Sequence, residues 1–179
     1  MKKTSNTKFV VSVGIFASVA FVLQILGGML PKVGGFLEME ASDLPPLILS
    51  FYYGPLAGVL TELIKNLLHL FITTTGGVGE IANFVMNGTM CLVAGLIYKK
   101  IRTFKGAIIS LGVGTLAMVF AGILANLFIM LPLYMPTAPF VQKYQLVMFT
   151  ILPFNVVKGI VISLLTLLLY KKISKIIND

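Results

Sequence analysis

The chain has 179 residues, 58% of them hydrophobic and only 11% charged, too little charge to cover the surface of a water-soluble domain. Its net charge of +8 would suit a nucleic-acid binder, but ten of the fourteen basic residues fall in three short segments beside apolar runs, which argues for a membrane and against nucleic acid. Those runs are long enough to cross a hydrocarbon core of roughly 30 Å as helices of about 20 residues, and they lack the alternating polarity of β-barrel strands.

Lys2, Lys3 and Lys8 precede a first span, Phe9 to Leu30, interrupted only by Gln24. Its apolar run continues past the signal-peptide-like Ser18-Val19-Ala20, so a retained helix is expected. A loop from Pro31 to Asp43 carries three acids, Glu38, Glu40 and Asp43. The apolar stretch Leu44 to Phe71 is too long for one span. Gly54-Pro55 divides it, because proline cannot continue a helix and glycine favours a turn. The result is a short segment, Leu44 to Tyr53, rising only about 15 Å, and a helix from Pro55 to Phe71. Thr73-Thr74-Thr75-Gly76-Gly77 reads as a turn. A fourth span runs from Ile81 to Tyr98 and ends in a basic cluster, Lys99, Lys100, Arg102 and Lys105. The fifth begins near Ala107 and ends between Pro132 and Pro136. A polar stretch, Pro136 to Gln145, leads to the sixth, Ile151 to Tyr170, and Lys171, Lys172 and Lys175 close the chain.

Basic termini and a basic Lys99–Lys105 loop place all three in the cytoplasm, which demands an even number of crossings between them. The division at Gly54-Pro55 supplies four before the loop and two after it. The expected fold is therefore one domain, residues 1–179, an all-α integral membrane protein of the cell membrane. Its architecture is a six-transmembrane-helix bundle with a short second helix. The Pro31–Asp43, Thr73–Glu80 and Pro136–Gln145 segments then surround an outward-facing pocket.

Polar groups at membrane depth cost free energy, so each is a candidate. Lys158 shares a helix face with Asn155, three residues earlier, and has no acid in its own span; a ligand, carbonyls or an acid from elsewhere must serve it. Asn126, in the fifth span, must find a neighbouring helix or a ligand. Glu62, Lys65, Asn66 and His69 form a stripe on the third helix in which Glu62 and Lys65 can neutralise each other, and Lys65 and His69 are one turn apart. Asn83 and Asn87, also one turn apart and just after Glu80, either line a cavity or tie helices together. Asp43 stands where a helix N-cap is expected, and Glu38 and Glu40 either meet a ligand or are solvated. The sole cysteine, Cys91, excludes an internal disulfide and reads as a core residue. The sole histidine has no second ligand nearby, so no metal site is expected. The chain has no phosphate-binding loop, no nucleophile elbow and no H-E-x-x-H, so an enzyme is not expected and the chain cannot cradle ATP by such a loop.

Several segments, in order, resemble a known family. They are Glu38-Met39-Glu40-Ala41-Ser42-Asp43-Leu44-Pro45, Gly54-Pro55-Leu56-Ala57-Gly58, Lys65-Asn66-Leu67-Leu68, Gly79-Glu80-Ile81-Ala82-Asn83-Phe84 and Pro153-Phe154-Asn155-Val156-Val157-Lys158-Gly159. They resemble the S components, the substrate-binding subunits, of energy-coupling factor (ECF) vitamin importers, in particular the riboflavin-specific branch. The resemblance implies a six-helix fold with a vitamin pocket near the outer face. It also implies riboflavin as the transported ligand, no cofactor, and work with a transmembrane T subunit and two cytosolic ATPases. In that branch the pocket draws on the first loop and on spans four to six. The resemblance thus points to Asn126, Asn155 and Lys158, with Glu38, Met39 and Glu40 from the loop and Asn83 and Asn87 from span four. Another vitamin, or riboflavin phosphate, is the alternative ligand. This chain has Glu40-Ala41 where the branch commonly shows an acid followed by an aromatic, and Gly14-x-x-x-Ser18 where the first helix commonly carries Ala-x-x-x-Ala.

Overall fold

The computed structural model describes residues 6–32, 34 and 37–178, with only the backbone of 170–178. Lys2, Lys3 and the side chains of Lys171, Lys172 and Lys175, on which the terminal basic segments rest, lie outside the described residues. Six helices follow one another: α1 (Asn6–Gly28), α2 (Leu44–Tyr53), α3 (Pro55–His69), α4 (Val78–Lys100), α5 (Phe104–Tyr134) and α6, which starts at Phe140 and continues through Leu152–Asn178. Among the described residues α1, α4, α5 and α6 are long and apolar enough to cross a membrane.

The expected division of the second apolar stretch is present, and its cause is local. Gly54 has φ 102° and ψ 173°, a conformation open in practice only to glycine. Pro55 then occupies the first turn of α3, where its missing N–H costs nothing. Chain direction reverses, so α2 and α3 form a hairpin. Both begin with prolines in their first turn.

Two features differ from expectation. The segment 140–146, read as a polar connection, is helical and is the start of α6. Gln142, Lys143 and Gln145 are polar but good helix formers, and no proline follows Pro139 until Pro153; their polarity marks a water-facing helix end, not a loop. Second, α5 and α6 each contain a π-helical turn, at Asn126–Met130 and Val147–Ile151. Each ends two residues before a proline, Pro132 and Pro153. A proline ring clashes with the carbonyl four residues back, here that of Phe128 or Phe149, and the wider turn makes room for it. Leu131, Val147 and Ile151 pack together and join the two widened regions.

The core lies between α2, α4, α5 and α6, around Leu47, Phe51, Met90, Tyr98, Leu111, Met118 and Ile162. Phe51 and Tyr98 stack with ring centroids 4.2 Å apart. Small residues allow close approach: a Cβ on Gly58 would stand 2.8 Å from the Pro46 carbonyl oxygen, and one on Gly114 3.0 Å from Ala94. The outside carries large apolar side chains, among them Leu116, Phe120 and Leu168. The described residues of the 29–43 connection and the connections 70–77 and 135–139 gather at one end; the Gly54 turn and the basic 101–103 connection lie at the other.

Candidate ligand-binding site

At the end opposite the basic connection the helices enclose a cavity of about 470 Å³. Its apolar walls include Met86, Met130, Ile151 and Phe154, and its polar lining comes from every helix except α2. Seven of the eight expected residues line it: Glu38, Glu40, Asn83, Asn87, Asn126, Asn155 and Lys158. Met39, half-buried, does not, although its neighbours on both sides do.

Asp43 explains how two lysines are held in an apolar bundle. Its Oδ2 lies 2.9 Å from Lys158 Nζ and its Oδ1 2.7 Å from Lys65 Nζ. The residue occupies the cap position of α2, but its side chain makes no capping bond; its charge serves the lysines instead, which corrects the expected N-cap role. Lys65 Nζ is also 2.8 Å from Glu62 Oε2 and donates to Ser42 Oγ at 3.2 Å and Asn83 Oδ1 at 3.1 Å. Glu62 and Lys65 thus neutralise each other inside the bundle with the first-loop acid added, while Glu62 Oε1 and Asn66 Oδ1 keep no hydrogen-bond donor. Lys158 reaches a second acid, Glu40, at 3.4 Å, so its partners come from another element.

Hydrogen bonds link the rest. Asn83 Nδ2 donates to Glu40 Oε1 at 3.2 Å, and Asn87 Nδ2 donates to Asn83 Oδ1 at 3.1 Å. The two asparagines therefore both tie elements together and line the cavity. Asn126 uses one N–H on the Gly122 carbonyl of its own helix, at 2.8 Å, which holds the amide at the cavity wall. Glu40 is further fixed by α1: a Cβ on Gly27 would collide with the Glu40 side chain.

Some lining residues had only a weak signal in the sequence. Gln24, the one polar interruption of the first span, is buried and lines the cavity. His69 does not meet Lys65; its Nδ1 shares a 2.7 Å hydrogen bond with Glu80 Oε1, while Thr75 donates to Glu80 Oε2, also at 2.7 Å. Gln24, Glu40 and Asn87 each keep a buried acceptor oxygen without a donor. A ligand rich in O–H and N–H groups would match them. No group of three or more His, Cys, Asp or Glu suited to a metal occurs among the described residues. Cys91 is buried in the core away from the cavity lining.

The family model for the ECF transporter, substrate-specific component, matches residues 8–170. The chain belongs to this family. Two relatives extend over nearly its full length. It is 33% identical to the riboflavin transporter RibU of Staphylococcus aureus (strain TCH60), over 97% of this chain and 94% of the relative. It is 35% identical to the riboflavin transporter FmnP of Bacillus subtilis (strain 168), over 94% and 93%. A solved chain, described under "Structure and mechanism of the S component of a bacterial ECF transporter", superposes with a TM-score of 0.83 at 32% identity, covering 98% of this chain and all of that one. As an ECF S component the chain is a membrane-bound transporter subunit, not an enzyme, and the cavity is its candidate substrate site.

Proposed function

We propose that this S component captures riboflavin in the 470 Å³ cavity from outside the cell and passes it inward with a T subunit and two cytosolic ATPases. In this reading the bundle crosses the cell membrane six times, with both termini cytoplasmic and the cavity facing out. The carrying observation is the cavity's polar set, Asn87, Asn126, Asn155 and the Asp43-anchored Lys158, in a lining that also includes Met86, Met130 and Phe154. The volume suits a small molecule, for which pockets run roughly 300–1,000 Å³. Asparagine amides match the alternating donors and acceptors on the pyrimidine edge of a flavin. Lys158 and Glu40 suit the ribityl hydroxyls, and the apolar wall suits the dimethylbenzene ring. The names of the two relatives support the same ligand.

Electrostatics favour the neutral vitamin over its phosphate. Both lysines in the lining already face a carboxylate: Lys32 faces Glu38, and Lys158 faces Asp43 and Glu40. A phosphate would have to break one of these pairs. Titration of the detergent-purified protein with riboflavin should quench flavin fluorescence with one-to-one stoichiometry, and riboflavin phosphate should compete weakly. Absence of quenching by a folded sample would reject riboflavin; equal or stronger competition by the phosphate would move the assignment to the phosphorylated flavin.

A further inference from the structure

A second hollow takes no part in ligand capture. It is a groove of about 560 Å³ on the outer faces of α5 and α6. Ile108, Val113 and Leu116 line it from α5, and Val156, Ile160 and Leu164 from α6. At its base Thr115 and Ser163 share a 3.1 Å hydrogen bond, so the groove makes no unmet polar demand.

Gly112 opens the groove. A Cβ at this position would meet nothing within 4 Å, whereas one on Gly114 or Gly159 would crowd a neighbouring helix. Those two glycines are explained by helix packing and Gly112 is not, although a glycine in mid-helix is unfavourable relative to alanine. Along α5 the groove extends from Ile108 to Val119, a rise of roughly 16 Å, which is about half of a hydrocarbon core some 30 Å thick. That is the depth of one leaflet. At the basic end Lys105 stands one turn before Ile108 and Ile109 on the same helix face, with Arg102 beside it, and both are exposed.

We propose that this groove is a lipid site. It holds one acyl chain of an anionic phospholipid from the leaflet at the basic end, with the headgroup against Arg102 and Lys105. A charge pair at the leaflet surface above an apolar slot one leaflet deep fits that chemistry. A packed helix fits less well. One turn either side of Gly112, Ile108 and Leu116 project outward, 46% and 70% exposed, and leave no flat face of small residues four apart. The slot admits something thinner than a helix.

Native mass spectrometry of the delipidated full chain tests the site with phosphatidylglycerol, phosphatidylcholine and glycerol phosphate. The wild type should retain one phosphatidylglycerol, hold phosphatidylcholine more weakly, and lose little lipid to glycerol phosphate. Gly112→Leu fills the slot, and Arg102→Ala with Lys105→Ala removes the headgroup contacts. Each should lower phosphatidylglycerol affinity roughly tenfold or more. Both variants leave the ligand cavity untouched, so unchanged flavin quenching certifies their fold, and the charge variant decides alone if the leucine variant fails to fold. Unchanged lipid retention in a folded variant, or equal retention of phosphatidylcholine, would overturn the proposal. So would a dimer lost on Gly112→Leu, which would make the groove a contact between copies.

Discussion

A lysine ammonium inside an apolar bundle persists only with anionic or carbonyl partners, and the two buried lysines divide that requirement differently. Lys65 is wholly buried between Asp43 and Glu62 and does not line the cavity. Lys158 lines it, closer to Asp43 than to Glu40. Removing one partner of a buried charge pair typically costs about 3–5 kcal/mol, because the other charge is left unpaired. Lys65→Met should therefore lower the thermal midpoint of the ligand-free protein strongly, as it strands Glu62 against Asp43. Lys158→Ala leaves Asp43 with Lys65, so its melting should fall less, while its riboflavin affinity should fall by roughly 30-fold or more, the range for losing a buried charged hydrogen-bond partner. Melting curves and titrations of the two variants check this reversal of rank. Unchanged affinity in Lys158→Ala would remove that residue from the site.

Each helix boundary has a local cause or a tertiary one, and this decides what the sequence could show. The α2–α3 division was legible because Gly54-Pro55 acts within two residues. Gly54→Ala should cost about 1–3 kcal/mol, the range for forcing a side chain into a glycine-only conformation, and should show as a lower thermal midpoint. If Gly54→Ala melts like wild type, the backbone there can relax and the turn does not hold the hairpin. Asn83, Asn87, Asn126, Asn155 and Lys158 were legible as candidates, since each is polar inside an apolar span, but only the family resemblance brought them to one pocket, because an asparagine there could equally tie helices together. The role of Asp43 was not. A capping bond is judged from the next three residues, but its partner Lys65 lies 22 residues away, and Lys158 sits on another helix altogether. Likewise the expected sixth span begins at Ile151, whereas the helix runs on from Phe140 through a widened turn that packs on Leu131. Met39 was named with the first-loop segment that the family resemblance brought in, and membership of that segment does not put a side chain in a cavity.

At the scale of the molecule, the basic cluster between α4 and α5 and the cavity lie at opposite ends. Lys8, Lys99, Lys100, Arg102 and Lys105 stand where α1 starts and α4 meets α5, while Glu38, Glu40, Asp43 and Glu80 stand around the cavity. The start of α1 and the end of α6 share the basic end. The excess of Lys and Arg in short cytoplasmic connections supports the proposed orientation, in which the cavity faces outward for capture. The single cysteine makes this testable. Cys91 is buried in the core, so Cys91→Ala gives a background without thiols into which single cysteines can be placed at exposed positions. Thr137→Cys sits in the 135–139 connection at the cavity end and Arg102→Cys in the basic connection. A membrane-impermeant maleimide added to intact cells should label the first and spare the second, and both should react once the membrane is permeabilised. The reverse pattern would put the cavity on the cytoplasmic side, where it could release a vitamin but not capture one, and uptake would then need a different binding site. Labelling at both positions in intact cells would mean that the chain inserts in two orientations, and that the basic connection is too weak a determinant to fix the direction of transport.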